Sequence, residues 1–191
     1  MIKCEHNLGD YYIFKSAFTQ DEINGIKKIC DQYKLHAAGI MSSSMDVSLV
    51  RRSKIAWIEK NDSTLWVYNR LISMIIEANS IWNFKINEND FVIQYTEYCA
   101  TKRGFYGCHY DISSHAPGVF RKISVVVQLS HQEDYSGGEF VLSTPNNMAL
   151  EVSREIGDVI LFPSYMPHEV KPVICGKRLS LVMWIPGPPF T

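Results

Sequence analysis

The sequence predicts a mostly β protein with flanking helices, an α+β fold in which helices pack on an antiparallel sandwich or barrel. From about residue 91, short runs of β-branched and aromatic residues alternate with turn signals, which is typical of such β folds. Before that point, two segments place apolar residues at helical spacing. The length of 191 residues and the hydrophobic content of 46% favour one domain over residues 1–191. We expect residues 1–90 to form a helical N-terminal support region and residues 91–190 to form the barrel core.

The first predicted helix lies in residues 19–34, with the sequence TQDEINGIKKICDQYK. Thr19 is placed to cap its N-terminus, and Glu22 follows three residues later, which is the spacing of a capping box. The apolar residues of this segment recur every three or four positions and therefore share one face. They are Ile23, Ile26, Ile29, Cys30 and Tyr33.

The second predicted helix lies in residues 61–79, NDSTLWVYNRLISMIIEAN, with Asp62 or Ser63 as its N-cap. The apolar face predicted for it consists of Leu65, Tyr68, Leu71, Ile72, Ile75 and Ile76. We expect both helices to pack on the sheet as scaffolding, because their aromatic and apolar side chains have the spacing of core residues.

Eight short strands are predicted in the second half of the chain, separated by turn signals. The strands are FVIQYTEY (91–98), GFYGCHYD (104–111), KISVVVQLS (122–130), GEFVL (138–142), MALEV (148–152), DVILFPS (158–164), HEVKPV (168–173) and KRLSLVMWI (177–185). The predicted turns include SGG (136–138), TPNN (144–147), EIGD (155–158) and ICGK (174–177).

Charge and composition exclude several classes of function. The formal net charge is -1 and the chain has no long Lys/Arg run, which argues against generic nucleic-acid binding, although Arg51, Arg52 and Lys54 form a local basic patch. No apolar stretch reaches the roughly 18–20 residues that span a bilayer, so we expect no membrane role. The N-terminus lacks the basic-then-apolar order of a secretory signal, and the five cysteines lack C-x-x-C spacing. We therefore expect reduced thiols and a cytoplasmic protein.

One candidate metal site stands out in the predicted strands. His109 and Asp111 are two residues apart and would project from the same face of a strand. An H-x-D triplet is weak by itself, since it arises by chance in about one in four chains of this composition. His168, just after the strand introduced by Gly157 and Asp158, would add a second imidazole. Two imidazoles and one carboxylate form a facial set that leaves coordination positions open, as in non-haem Fe(II) oxygenases.

A second feature is an arginine on a strand that should be buried. Alternation places Arg178, Ser180, Val182 and Trp184 on one face of the last predicted strand. An arginine inside a barrel is costly unless an anion meets it, and a dicarboxylic cosubstrate would supply that anion. Gln128 shares a face with Ser124 and Val126, so it points either into the barrel or toward solvent.

These motifs together resemble a known family. The runs QYTEY, FYGCHYD, RKISVVVQLS, YSGGEFVL, GDVILFPSYMPHEV and KRLSLVMWIPGPPF are similar to the Fe(II)- and 2-oxoglutarate-dependent dioxygenases of the prolyl 4-hydroxylase-like group, particularly its compact microbial and phage-type members. The resemblance covers residues 91–190 and extends more loosely back through RRSKIAW. It implies a double-stranded β-helix, a jelly-roll or cupin-like barrel, with N-terminal helices packed on the sheet.

The resemblance also implies roles for individual residues. His109, Asp111 and His168 would bind iron, and Arg178 would hold the distal carboxylate of 2-oxoglutarate. Other residues match positions that line or border the cosubstrate pocket. These are Tyr98, Tyr106, Gln128 and Trp184, with Tyr95 as an alternative to Tyr98.

The activity implied by the resemblance is hydroxylation of a side chain, with peptidyl proline as the leading substrate and release of succinate and CO2. Alternatives are the same chemistry on a free amino acid or other small molecule, and a non-catalytic cupin-like metal-binding module. A repair-type oxygenase acting on nucleic acid bases would need a basic groove, which the composition does not indicate. The expected partners are dioxygen and 2-oxoglutarate, with ascorbate as a candidate reductant. Residues 36–53 and 111–121 are candidate lid or substrate loops.

Overall fold

The computed structural model describes residues 3–7, 10–39, 47–88, 91–144 and 149–190. Its helices are α1 (Gln20–Cys30), α2 (Val47–Val50) and α3 (Leu65–Trp82). The strands before residue 91 are β1 (Lys3–Asn7), β2 (Tyr11–Lys15), β3 (His36–Ala37), β4 (Arg51–Arg52) and β5 (Lys54–Ile58). The later strands are β6 (Ile93–Cys99), β7 (Phe105–His109), β8 (Ser114–Ala116), β9 (Val119–Gln128), β10 (Tyr135–Gly137), β11 (Phe140–Ser143), β12 (Ala149–Glu151), β13 (Val159–Pro163), β14 (His168–Val170) and β15 (Val173–Gly187).

The strands form two sheets that face each other, as expected for a double-stranded β-helix. Among the described residues, the major sheet runs β1-β2-β13-β9-β15-β6-β5-β3. In addition, β10 pairs with β15 and β8 pairs with β9. The minor sheet runs β12-β11-β14-β7-β4. All the strand pairs are antiparallel. The predicted fold class, a mostly β barrel with flanking helices, is confirmed.

Helix α1 begins as predicted. The backbone N–H of Glu22 donates to Thr19 Oγ1, and the Glu22 carboxylate accepts from the Thr19 backbone N–H at 2.9 Å, which completes the capping box. The helix buries Ile23, Ile26 and Cys30 against the sheet. It ends at Cys30, so Tyr33 lies beyond it and packs against the same core from the following segment.

Helix α3 is confirmed as a helix, but its cap and its buried face differ from the prediction. The N-cap is Thr64 rather than Asp62 or Ser63. Leu65 and Ile76, predicted on the core face, are 38% and 50% exposed. The residues that face the core are Val67, Tyr68, Leu71, Met74, Ile75 and Ala78. The prediction was correct for Tyr68, Leu71 and Ile75 and wrong for Leu65 and Ile76, because apolar residues occur around much of this helix and periodicity alone does not select one side.

Tyr68 ties α3 to the major sheet. Its hydroxyl donates to the Ile58 carbonyl oxygen at 2.6 Å and accepts from the Ile93 backbone N–H at 3.1 Å. Ile58 and Ile93 are register partners at the end of the β5–β6 ladder, and Tyr68 is fully buried. The helix layer is therefore fixed to the sheet by a buried polar contact as well as by apolar packing.

Several strands differ from the sequence-based prediction. No strand was predicted before residue 91, yet β2 and β5 are integral to the major sheet. The predicted ICGK turn was wrong, because residues 174–177 lie inside the long strand β15, where Cys175 and Gly176 pair with β10. Of the predicted TPNN turn, residues 145–147 lie outside the described residues, as do residues 40–46 of the candidate lid.

The two faces of the major sheet bury two different cores. One face packs against α1 and α3 in a large apolar cluster that includes Leu71, Ile123 and Leu181. The other face packs against the minor sheet in a smaller cluster that includes Phe140 and Phe162. The polar residues singled out in the sequence lie in this second space between the sheets.

Candidate active site

A cavity opens between the two sheets, and its lining comes from both of them. The major sheet contributes side chains from β6, β9 and β15, and the minor sheet contributes side chains from β4, β7, β11 and β14. The lining consists of Arg51, Gln94, Tyr98, Tyr106, His109, Asp111, Val126, Phe140, His168, Val170, Arg178, Ser180, Val182 and Trp184. The alternation predicted for the last strand is therefore correct, since residues 178, 180, 182 and 184 all face this cavity.

Three side chains converge at the minor-sheet side of the cavity. His109 and His168 are register partners on β7 and β14, and Asp111 lies two residues past the end of β7. His109 Nε2 is 3.6 Å from Asp111 Oδ1, and His168 Nε2 is 3.2 Å from Asp111 Oδ2. One ligand atom from each residue lies within 4.8 Å of the other two. The sequence prediction that these three residues meet is confirmed by the geometry.

Both imidazoles are oriented as metal ligands are. The Nδ1–H of His109 donates to the Gly107 carbonyl oxygen at 2.8 Å, and the Nδ1–H of His168 donates to the Met166 carbonyl oxygen at 2.9 Å. A carbonyl can only accept, so Nδ1 carries a proton in each ring and Nε2 points into the cluster, where a bound metal would replace any proton on Nε2. Such outer hydrogen bonds fix the tautomer of a ligating histidine.

Asp111 is held in place by the residues around it. Its backbone N–H donates to the Ser164 carbonyl oxygen at 2.9 Å, which positions it although it is outside the strand. Ser124 Oγ donates to Asp111 Oδ2 at 2.7 Å and is itself 2.9 Å from Ser164 Oγ. The carboxylate is 5% exposed and keeps one oxygen, Oδ1, without a serine donor.

The charges of the cluster depend on one another. Burial acts to raise the pKa of Asp111, but the charge of His168 and the hydrogen bonds from both histidines hold it well below its usual range. Burial also acts to lower the pKa of His168, yet the Asp111 carboxylate raises it above the ordinary value. For His109, burial dominates and lowers the pKa. The cluster therefore contains an ionised carboxylate beside buried imidazoles, an arrangement suited to a cation.

Arg178 lies on the opposite wall of the cavity and is 2% exposed. Its Nη2 donates to Gln128 Oε1 at 3.0 Å and its Nη1 donates to Ser180 Oγ at 3.4 Å. Its Nε is buried without a hydrogen-bond partner, and no carboxylate of the described chain forms an ion pair with it. A buried charge without a counter-ion is costly, so an anion in the cavity would be strongly attracted to this guanidinium.

The remaining predicted pocket residues fall into two groups. Tyr98, Tyr106 and Trp184 line the cavity, whereas Tyr95 packs in the helix-side core. Gln128 is 2% exposed and does not line the cavity, but it holds Arg178 and donates through Nε2 to the Ser153 carbonyl oxygen at 2.9 Å. The sequence left two orientations open for Gln128, into the barrel or toward solvent, and the structure shows the buried one.

Sequence reasoning assigned no site role to several residues of this cavity. Arg51 was noted only as part of a basic patch, yet it is 8% exposed and lines the cavity. Gln94 and Phe140 also line it. A signal did exist for Gln94, because the prediction already placed this polar residue within the strand FVIQYTEY. Phe140 carried no such signal, since an aromatic residue in a strand is the ordinary composition of a core.

The donor set fits ferrous iron. Two neutral imidazole nitrogens and one carboxylate oxygen on one side of an ion leave its other coordination positions open, which is the arrangement of non-haem Fe(II) oxygenases. Nε of Arg178 is buried without a hydrogen-bond acceptor, which independently indicates that an anion also binds in this cavity.

Comparison with known proteins supports the same conclusion. A family model described as the 2OG-Fe(II) oxygenase superfamily matches residues 93–186, which contain all three clustered residues and Arg178. The chain is 29% identical over 155 residues to a PKHD-type hydroxylase of Prochlorococcus marinus (strain MIT 9515), covering 81% of this chain and 67% of the relative. It is 38% identical over 85 residues to a PKHD-type hydroxylase of Alteromonas mediterranea, covering 42% of this chain and 37% of that relative.

Solved structures share the fold. A Pseudomonas putida prolyl-4-hydroxylase superposes with a TM-score of 0.74 at 21% identity, covering 94% of both chains. A prolyl hydroxylase from Trichoplax adhaerens, in complex with a hypoxia inducible factor peptide fragment, gives a TM-score of 0.71 at 20% identity, covering 94% of this chain and 84% of that one. Within the described residues, no helix is both long enough and apolar enough to cross a bilayer. By its matched motifs and its relatives, the chain belongs to the 2OG-Fe(II) oxygenase superfamily, a family of oxidoreductases that need Fe(II) and 2-oxoglutarate, and it shares its fold with solved prolyl 4-hydroxylases.

Proposed function

We propose that this protein is an Fe(II)- and 2-oxoglutarate-dependent dioxygenase that hydroxylates a side chain, with peptidyl proline as the leading substrate. The observation that carries the proposal is the placement of the His109, Asp111 and His168 cluster in the same cavity as the unpaired guanidinium of Arg178. A metal-binding cluster alone would suit many functions. A buried guanidinium in the same cavity supports an anionic cosubstrate as well.

In this proposal, His109 Nε2, His168 Nε2 and an oxygen of Asp111 hold the iron. The carbonyls of Gly107 and Met166 keep both imidazoles in the tautomer that presents Nε2. Ser124 restrains Oδ2 of the carboxylate, so Oδ1 is the oxygen left for the metal. When bound, iron and 2-oxoglutarate would supply the oxidising chemistry, in which dioxygen gives one oxygen atom to 2-oxoglutarate, yielding succinate and CO2, and the other to the hydroxylated substrate.

Arg178 would bind the distal carboxylate of 2-oxoglutarate. Gln128 fixes one edge of the guanidinium and leaves Nε free to donate to the anion. Tyr98 and Phe140 flank the guanidinium, with ring centroids 5.6 Å and 6.0 Å from Cζ. These rings limit the access of water, which strengthens the contact between the arginine and the carboxylate. Tyr106 and Trp184 complete the pocket wall.

The choice of peptidyl proline rests on what the structural neighbours are named for. The Pseudomonas and Trichoplax proteins are named as prolyl hydroxylases, and the second is described in complex with a peptide. The runner-up is the same chemistry on a free amino acid or another small molecule. The region that shares the family motifs covers the metal and cosubstrate pocket, whereas substrate choice depends on the surrounding loops. One experiment therefore tests both substrate classes.

The test is turnover followed by mass spectrometry. Protein loaded with Fe(II) and 2-oxoglutarate in air is expected to release succinate, and a panel of proline peptides and free amino acids is expected to yield one product heavier by one oxygen atom. His168→Ala should abolish both signals, while His36→Ala, at an exposed histidine on β3, should retain them. Absence of succinate with every panel member would contradict the proposal and favour the non-catalytic metal-binding module.

We also propose a cytoplasmic location. It is supported by the thiols of Cys30, Cys99, Cys108 and Cys175, which are free. Non-reducing electrophoresis of the protein from freshly lysed cells would reveal a disulfide if the location were oxidising.

A further inference from the structure

Two arginines, Arg51 and Arg121, lie at the rim of the cavity, and neither has a carboxylate partner in the described part of the chain. Arg51, on β4, is 8% exposed and lines the cavity. Its Nε donates to Ser53 Oγ at 2.8 Å, and its Cζ lies 4.6 Å from the centroid of the Tyr106 ring. These contacts position the guanidinium but do not neutralise it.

Arg121, on β9, approaches the same rim from the major sheet. Its Cζ lies 3.9 Å from the centroid of the Trp184 ring. Its Nε is buried without a hydrogen-bond partner, and so is Nε1 of Trp184. Two neighbouring buried N–H groups without acceptors are uncommon in native proteins, because each one loses its hydrogen bond to water. Both residues also line a second groove, together with Trp57 and Val119, and Trp184 lines the cavity as well, so the missing acceptor lies where this groove meets the cavity.

Aromatic rings connect both arginines to the metal-binding cluster. Tyr106, under Arg51, stacks on His109 with ring centroids 3.5 Å apart. Trp184, under Arg121, lines the cavity that contains the cluster. A group held by both guanidiniums would therefore lie next to the position where a substrate meets the metal.

The charges of this rim are unfavourable as they stand. Burial has the largest effect on the pKa of Arg121 and lowers it. The Asp111 carboxylate raises this pKa, whereas the positive charge of Arg51 lowers it further. Asp111 is already engaged by Ser124 and by the two histidines. An added anion would relieve both the burial of charge and the repulsion between the arginines.

We propose that Arg51 and Arg121 together bind a carboxylate of the substrate, so that the substrate is an anion whose carboxylate lies close to the carbon to be hydroxylated. This inference rests on the proposed function and specifies its substrate class. Two sources share the chemistry. One is the carboxylate of a free amino acid or other small acid, and the other is an acidic side chain or C-terminus beside the target residue of a peptide.

The test compares probes that differ only in charge. N-acetyl-L-proline and its neutral amide are titrated, under nitrogen, into protein loaded with Mn(II) and 2-oxoglutarate, so that Arg178 is already occupied. The readout is the change in tryptophan fluorescence on binding, which is expected to come from Trp57 and Trp184, whose rings are 6.3 Å apart at this rim, rather than from the distant Trp66 and Trp82 on α3. The same comparison is made for acetyl-Pro-Asp amide against acetyl-Pro-Asn amide, and for benzoate against benzamide.

The acid of at least one pair is expected to bind about ten- to a hundredfold more tightly than its neutral counterpart. Arg51→Gln and Arg121→Gln should each remove most of that difference while leaving the neutral probe unchanged. Arg121→Lys should restore part of it, and Lys28→Gln, which removes an exposed charge on α1, should have no effect. The pair that responds identifies the source of the carboxylate.

The proposal is overturned if no acid binds more tightly than its neutral partner, or if both glutamine variants retain the full preference. Circular dichroism and thermal melts of the variants separate a lost site from a lost fold. Succinate release by the wild-type protein is measured separately. Its absence would contradict the proposed function without altering the charge preference, which is read in the absence of turnover.

Discussion

Replacing Arg178 with glutamine separates the role of this residue in folding from its role in binding. The guanidinium is 2% exposed and has two neutral hydrogen-bond partners but no counter-ion in the described chain. Removing its charge should leave the thermal stability of the protein without 2-oxoglutarate unchanged or higher, since an uncompensated buried charge opposes folding. An amide at this position can still meet Gln128.

The same substitution should weaken the binding of 2-oxoglutarate, although it does not lower the stability of the free protein. Truncating one partner of a buried, hydrogen-bonded charge pair costs about 2–5 kcal/mol, which corresponds to a loss of affinity of roughly thirtyfold or more. In the wild type, 2-oxoglutarate at about 100 times its Kd adds about 2.7 kcal/mol of stability. For a chain of this size that raises Tm by roughly 5–11 °C. Arg178→Gln should lose about two thirds or more of that increase.

The assay is differential scanning fluorimetry with Mn(II) in place of iron, with and without 2-oxoglutarate, and it is supported by calorimetric titration. Arg178→Lys should retain part of the shift, because it keeps the charge but not the planar donor geometry. Lys28→Gln should show the full shift. The reasoning is refuted if Arg178→Gln keeps the wild-type shift, or if it melts many degrees lower without 2-oxoglutarate.

Two further predictions test the fold and the thiols. Gly157 adopts φ +82°, and a Cβ there would overlap the Phe18 carbonyl oxygen, so Gly157→Ala should lower the free energy of unfolding by more than about 1–3 kcal/mol. Gly25→Ala in α1, where a Cβ meets nothing within 4 Å, should instead raise the free energy of unfolding by up to about 1 kcal/mol. Both values are measured by urea denaturation, and equal effects of the two substitutions would contradict this reasoning. Burial raises the pKa of Cys30 to about 12, whereas the Thr101 hydrogen bond lowers that of Cys99. Iodoacetamide at pH 8 should therefore alkylate Cys99 well before Cys30, as measured by peptide mapping; early labelling of Cys30 would contradict its burial.

One part of the site could be predicted because the faces of a strand follow a local rule, whereas the meeting of His168 with His109 and Asp111 was expected from the ligand pattern and the family resemblance. The two-residue alternation of a strand places Arg178, Ser180, Val182 and Trp184 on one face regardless of the rest of the fold. The same rule could not orient Gln128, since β9 is buried on both of its faces along residues 122–128. Alternation separates two faces, but it identifies the inner face only when the other face is polar.

The strands before residue 91 were missed for a related reason. In β2, residues 12–14 are all buried, so the segment YYIFK lacks alternation and has no signal that distinguishes it from a turn of buried helix. Its partner β13 is more than 140 residues away in the chain, and no local pattern reports such a pairing. Strand position here is decided by tertiary contacts.

The predicted turn at ICGK failed because a glycine was taken as a break in the strand. Gly176 has φ +69° and lies within β15, opposite Tyr135 of β10. A Cβ at this position would overlap the Asp134 carbonyl oxygen, so the glycine allows a close approach of two backbones inside a continuous strand. Sequence alone does not distinguish that use of glycine from a turn.

The most direct test of the account is metal binding by the three clustered residues. Calorimetric titration with Co(II) should give one ion per wild-type chain, and His109→Ala, Asp111→Ala and His168→Ala should each weaken binding by at least about tenfold. His36→Ala should bind as the wild type does. A variant of any of the three that keeps wild-type affinity would contradict the claim that they hold a single ion.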